Sequence, residues 1–185
     1  MSQDRTLVQI AFYAALIAAL GLIPKVDIPF LMGVPITAQS LGVMLAGVML
    51  GPIRGGLAMA LFLLLVALGL PLLAGGRGGL GIFYGPTAGY LAGYFLGAVA
   101  TGFLMKTLKN MPVMPSAAIA AIIGGIGVVY LCGVPVLAMH MKLPLWDVIK
   151  MNAVFIPGDL IKVAVAATVA HTVAKGMPSA LLSRA

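Results

Sequence analysis

The sequence predicts an all-α integral membrane protein: one membrane-embedded domain over residues 1–185, built as a bundle of six transmembrane helices. Of its 185 residues, 62% are hydrophobic and only 8% charged, whereas a soluble domain carries about 25% charged residues. The mean hydropathy is +1.17. Short Gly- and Pro-rich turns separate the apolar stretches, leaving room for about six spans of roughly 20 residues each and for no appended soluble domain.

The first segment runs from Thr6 to Ile23. An arginine followed by an apolar stretch superficially resembles a secretion signal, but the stretch is long and no small-residue cleavage site precedes the loop, so it reads as a retained span. Its small residues recur every fourth position, Ala11 with Ala15, Ala14 with Ala18, and Ala15 with Ala19. Such stripes let helix backbones approach closely in lipid, and this broad face suits either a neighbouring helix or a partner subunit. The loop charges Lys25 and Asp27 are expected to be solvated.

The second segment, Thr37 to Leu50, is too short to cross about 30 Å of hydrocarbon at 1.5 Å per residue. It is expected to be tucked among neighbours or extended by its flanks. It starts within "MGVPITAQSLG", where Gln39 is either a satisfied helix-end amide or a donor and acceptor pair offered to a ligand. The third segment runs from Gly55 to Leu70. The loop after it, "GLPLLAGGRGGLGIFYGPTAGY", carries seven glycines between Gly69 and Gly85 with Arg77 as its only charge. It lacks the GxxxxGK[ST] spacing of a phosphate loop, and reads as a mobile external cap whose Arg77 meets an anion, or as a plain solvated turn.

The fourth segment, Pro86 to Leu104, carries Gly89, Gly93 and Gly97, a packing stripe inside one subunit. The fifth, Ser116 to Met139, holds Cys132, the single cysteine, which excludes an internal disulfide and is expected to be buried packing. The sixth runs from Leu145 to Ala174. With both termini in the cytoplasm, Arg5, Arg54, Lys106, Lys109, Lys175 and Arg184 lie inside, Lys25, Arg77, Lys142 and Lys150 lie outside, and Lys162 lies in a span, a bias that follows the positive-inside rule. Trp146 then fits an external interfacial anchor. The net charge of +7 is scattered over segment ends and forms no stripe that would bind nucleic acid.

One stretch, "NAVFIPGDLIK", carries chemistry. Asp159 lies about 18 Å along a continuous helix from Asp147 and so about halfway across the membrane. Ionisable residues at that depth cost roughly 2.5–3.5 kcal/mol each and are functional by default, a structural ion pair being the alternative. The three-residue spacing puts Asp159 and Lys162 on one helix face, which Asn152 and Phe155 continue. Pro157 and Gly158 predict a kink just before it, and irregular backbone at this depth lines a cavity. His140 and His171 lie near opposite ends of the bundle and share no metal-ligand spacing. No nucleophile with a base, no hydrolytic carboxylate pair and no nucleotide motif occur, so neither an enzyme nor a resident cofactor is expected. What remains is a set of oppositely charged groups suited to a small polar molecule with apolar parts.

In order and spacing, "ITAQSLGVMLAGVMLGP", "GLPLLAGGRGGLGIFYGPTAGYLAGY" and "IPGDLIK" resemble the signature stretches of the BioY family, the biotin-binding S components of energy-coupling factor (ECF) vitamin transporters. The resemblance covers Val34 to Lys162. It implies a six-helix fold in the cytoplasmic membrane and a biotin site near the external side, closed by the loop between the first two spans. It implies Asp159 on the ureido N–H groups, with Gln39 and Asn152 as supporting contacts. Lys162 stabilises Asp159 or pairs with the biotin carboxylate, Arg77 is the rival for that carboxylate, and Phe83 and Tyr84 pack on the rings. The first span, through Ala11, Ala14, Ala15, Ala18 and Ala19, would dock on the transmembrane coupling subunit, with separate ATPase subunits as motor. A self-contained proton-coupled carrier with Asp159 and Lys162 as relay is the alternative, but such carriers usually show inverted repeats, and none is evident between the halves. A structural subunit without a ligand would leave the two mid-membrane charges unexplained.

Overall fold

A computed structural model describes residues 3–31 and 34–184. The long elements are helices: α1 (Gln3–Leu20), α2 (Gln39–Ala67), α3 (Ala88–Thr107), α4 (Val113–Ala120), α5 (Val129–Met141), α6 (Leu145–Asn152) and α7 (Ile156–Gly176). A π turn over Ala121–Val128 runs α4 into α5, and a 3-10 turn over Ala153–Phe155 runs α6 into α7. Among the described residues, four stretches are long and apolar enough to cross a membrane: Gln39–Ala67, Ala88–Thr107, Val113–Met141 and Leu145–Gly176. The polar first turn of α1, with Asp4 and Arg5, dilutes an otherwise apolar helix.

The second and third apolar segments share one helical element, α2, broken at Gly51, whose φ of 81° and ψ of −175° are not helical. Glycine adopts that positive φ without a Cβ penalty. Pro52 then opens the second arm, where a missing N–H loses no helical bond. The chain reverses there: a Cβ on Gly55 would lie 2.8 Å from the Ala46 carbonyl oxygen and 3.2 Å from Gly47 Cα, residues that a straight helix would hold about 12–14 Å away. The arms 39–50 and 52–67 therefore pack side by side. Residues 42–50 are buried on every side, which is how so short a first arm sits among its neighbours.

Glycines set the other close crossings. On Gly93 a Cβ would lie 2.9 Å from Val129 Cα, and on Gly97 it would lie 2.7 Å from the Gly124 carbonyl oxygen. The stripe of α3 thus meets α5 and the π turn within this chain. Cys132 takes part in that crossing but is partly exposed, not buried as the sequence predicts; it lies on the rim of the contact, its Cβ 3.3 Å from where a Gly93 Cβ would stand. The alanine face of α1 divides. Ala14 is buried in the core beside Ile17 and Val43 and Ala18 packs against the same cluster, whereas Ala11, Ala15 and Ala19 are exposed along one stripe. Ala14 and Ala18 therefore face this chain's own bundle, since helical rotation points them about 100° away from their exposed neighbours.

The turns gather at two ends. At one end the C-terminal tail folds under the bundle, with Ser183 Cα 3.2 Å from where a Gly51 Cβ would stand and the Arg184 guanidinium donating to the Met111 carbonyl at 2.9 Å. At the other end, an isolated bridge closes Val26 on Ile36, a second closes Leu73 on Arg77, and Lys25 lies across Gly75. These loops cap the bundle where the candidate site residues collect.

On Gly102, a Cβ would collide with the backbone of Gly51 and Pro52, whereas on Gly127 it would meet only the Ile122 carbonyl oxygen at 3.7 Å. Gly102→Val is expected to destabilise the fold by about 1–3 kcal/mol or more, as overpacking does, and Gly127→Ala to leave the unfolding midpoint unchanged or higher. Thermal unfolding of the purified variants, read by loss of the monodisperse peak, checks both.

Candidate ligand-binding site

Asp159 occupies the first turn of α7, where unsatisfied backbone N–H groups favour a carboxylate. The predicted kink at Pro157 is absent. The irregularity falls earlier, in the 3-10 turn over Ala153–Phe155, and α7 restarts with its proline in the first turn, where a missing N–H costs nothing. Asp159 is 6% exposed.

Its partners come from three elements. Lys162 Nζ donates to Asp159 Oδ1 at 2.8 Å and to Ser40 Oγ at 2.8 Å, and Ser40 Oγ lies 3.4 Å from the same Oδ1. Tyr130 OH donates to Asp159 Oδ2 at 2.5 Å. An ammonium has three N–H groups and a carboxylate about four lone-pair sites, so each partner retains hydrogen-bonding capacity. That capacity faces a cavity of about 670 Å³, its open mouth included. Its polar wall is Asp159, Lys162 and Ser40; Tyr90, Tyr94 and Phe155 supply rings; and Val34 to Thr37, Leu73 and Arg77 reach it from the loops. The lining brings convergent polar groups together with rings and aliphatic side chains, a combination that suits a small molecule with polar and apolar parts.

Arg77 lines this cavity and, among the described residues, engages the protein through Nε, donating to the Ala74 carbonyl at 3.2 Å. Gln39 reaches the wall, but its amide is committed elsewhere. Nε2 donates to Leu72 O at 3.0 Å and Ile17 O at 3.3 Å, while Oε1 accepts from Ala74 N at 2.9 Å. It ties the glycine-rich loop and the end of α1 to the start of α2, so its role is positioning. Asn152, 1% exposed, sits behind the wall: Oδ1 accepts from Tyr90 OH at 2.5 Å and Nδ2 donates to Val148 O at 2.8 Å. The face expected from Asn152 to Lys162 is broken because three residues of 3-10 turn, at three per turn instead of 3.6, rotate it by about 60°. Phe83 packs into the core near Phe62 and Val66, and Tyr84 is 82% exposed. Neither lines the cavity, because the short 3-10 turn Leu80–Tyr84 directs one inward beneath the loop and the other outward. His140 donates from Nε2 to the Tyr84 carbonyl at 3.0 Å, a contact outside the cavity.

A profile of the BioY family matches residues 1–179. The chain belongs to the BioY family. A biotin transporter BioY of Rhodobacter capsulatus is 48% identical over 98% of this chain and 99% of its own, and one of Rhizobium etli is 49% identical over 94% and 95%. The crystal structure of an S component for biotin from an ECF-type ABC transporter superposes with a TM-score of 0.90 at 33% identity, covering 98% of this chain and 99% of that one. The chain is thus a multi-pass membrane protein with the all-helical fold of the BioY S components, and its relatives are transporters, not enzymes.

Sequence reasoning did not single out Tyr90, Tyr94 and Tyr130 in this BioY chain. A signal existed for each. Tyr90 and Tyr94 follow Gly89 and Gly93 by one residue, so they lie about 100° round α3 from the packing stripe. Tyr130 puts a phenol in a hydrocarbon stretch, where its hydroxyl needs a partner.

Lys162→Met leaves Asp159 buried without its cation, and is expected to cost about 3–5 kcal/mol of stability. The double variant Asp159→Asn/Lys162→Met removes both charges and is expected to recover part of that loss. Thermal unfolding without ligand compares them; equal midpoints would show that the pair is not electrostatically coupled.

Proposed function

We propose that this chain takes up biotin across the cytoplasmic membrane as the substrate-specific component of an ECF transporter. The observation that carries the reading is the Asp159–Lys162 pair, its carboxylate buried and its lysine half-buried, facing a cavity with hydrogen-bonding capacity unused. The ureido ring of biotin presents two N–H donors side by side, which match a carboxylate, and a carbonyl that needs a donor. Asp159 takes the N–H groups, and Lys162, held between Asp159 and Ser40, stabilises the carboxylate in its charged form. Tyr90, Tyr94 and Phe155 enclose the thiophane ring and the start of the tail. Arg77, which among the described residues donates only from Nε, meets the tail carboxylate, a charge-assisted contact of the stronger class.

In this reading the whole chain is one binding domain that crosses the membrane six times, the two arms of α2 counting separately. Both termini are cytoplasmic and the cavity opens outward. What supports it is the distribution of charge: Arg54, Lys106, Lys109, Lys175 and Arg184 collect at the end where the tail folds back, and that end faces the cytoplasm by the positive-inside rule. The exposed stripe Ala11, Ala15 and Ala19 docks on the coupling subunit, and ATPase subunits supply the energy, since the sequence offers no nucleotide motif.

Isothermal titration of the purified protein against a vitamin panel should give tight binding for biotin alone, and binding of a different vitamin in its place refutes the reading. Asp159→Asn should weaken biotin binding by about 10- to 100-fold, the equivalent of one charged hydrogen bond. Lys162→Ala should weaken biotin and its methyl ester alike, whereas Arg77→Ala should weaken biotin only. For the partner, Ala15→Trp should abolish co-purification with the coupling subunit while leaving biotin affinity intact; retained co-purification moves the docking face elsewhere.

A further inference from the structure

A second concavity, about 680 Å³ with its open mouth included, lies on the outside of the bundle between α5 and α6. Leu131 and Pro135 form one bank, Leu145 and Ile149 the other, with Tyr130 and Asn152 on the inner side. Leu131 is 74% exposed, so the mouth opens onto lipid, not into the bundle. The bank from Gly127 to Pro135 is about 12 Å long and that from Leu145 to Ile156 about 16 Å, at 1.5 Å per residue. Half the hydrocarbon core is about 15 Å. The groove therefore matches the chain depth of one leaflet.

Its upper end is charged. The turn that joins the two banks carries Lys142, and α6 carries Trp146 and Lys150, all exposed. Lys150 Nζ lies 5.6 Å over the Trp146 ring, and its pairing with Asp147 is long at 3.5 Å and open to solvent, an arrangement that binds weakly. Two cations and one carboxylate beside an interfacial tryptophan, on the turn and the flank of α6 next to an apolar slot, complement a phosphate whose hydrocarbon chain enters the slot. We propose that this groove holds one acyl chain of an anionic phospholipid, its phosphate at Lys142 and Lys150. Because Tyr130 lines both this groove and the ligand cavity, the chain packs behind the hydroxyl donor of Asp159, so that lipid occupancy bears on the ligand site.

The test uses the full chain in liposomes containing phosphatidylglycerol with a photoactivatable acyl chain. Labelling is expected on Leu131 and Ile149, and native mass spectrometry in mild detergent is expected to show a retained phospholipid. Gly127→Phe should abolish both, because the ring projects into the groove from a position whose Cβ has only the Ile122 carbonyl nearby. Ile149→Trp fills the slot from the other bank and should do the same, and Lys150→Glu should lose the anionic lipid. Undiminished labelling in both filled variants, or efficient dimer formation by Leu131→Cys, which would make the occupant a second copy, overturns the proposal.

Discussion

The ion pair between Asp159 and Lys162 constrains the rest of the structure. Two charges in a low-dielectric bundle persist only where each is paired and its remaining hydrogen-bonding capacity is met. Here the partners are Ser40, 119 residues from Asp159, and Tyr130, 29 residues away. Satisfying the pair therefore forces the first arm of α2, the start of α5 and the first turn of α7 to converge. A cavity lies at that meeting point, beside the hydrogen-bonding capacity the pair keeps.

Close approach of backbones makes the convergence possible. In lipid, apolar side chains gain little by leaving the tails, so helices associate through packing and small residues. Gly89, Gly93 and Gly97 bring α3 onto α5, and Gly102 seats it on the reversal at Gly51 and Pro52. At the other end the cavity is roofed by loops, and Gln39 ties that roof to α1 by three hydrogen bonds. The helix whose exposed alanines suit a partner is the same helix that Gln39 joins to the cavity roof.

This division of labour suits a receptor without a motor. In the proposed reading, a carboxylate and an ammonium recognise one pole of the ligand, rings enclose its middle, and an arginine on a loop meets the other pole. The groups are placed by helices where precision matters and by loops where the ligand must enter. Tyr130 lines both this cavity and the lateral groove, so one side chain is shared by the two concavities.

Much of this was determined by the sequence alone. Composition dictates the membrane fold, and the three-residue spacing of Asp159 and Lys162 dictates a shared helix face, because helical geometry is local. Glycine spacing identifies the crossing face of α3 for the same reason, and three short stretches carry the resemblance to the family. Tertiary structure alone decided which groups complete the pair, since Ser40 and Tyr130 meet Asp159 across the fold and no periodicity relates them. It also removed Asn152, Phe83 and Tyr84 from the cavity lining, engaged the amide of Gln39 on backbone groups, turned Ala14 into core and packed Ala18 against it. A 3-10 turn of three residues, an inward-facing loop ring and a helix rotation are small local changes, yet each decides on which side of a wall a side chain stands, and only packing against the rest of the bundle selects that side.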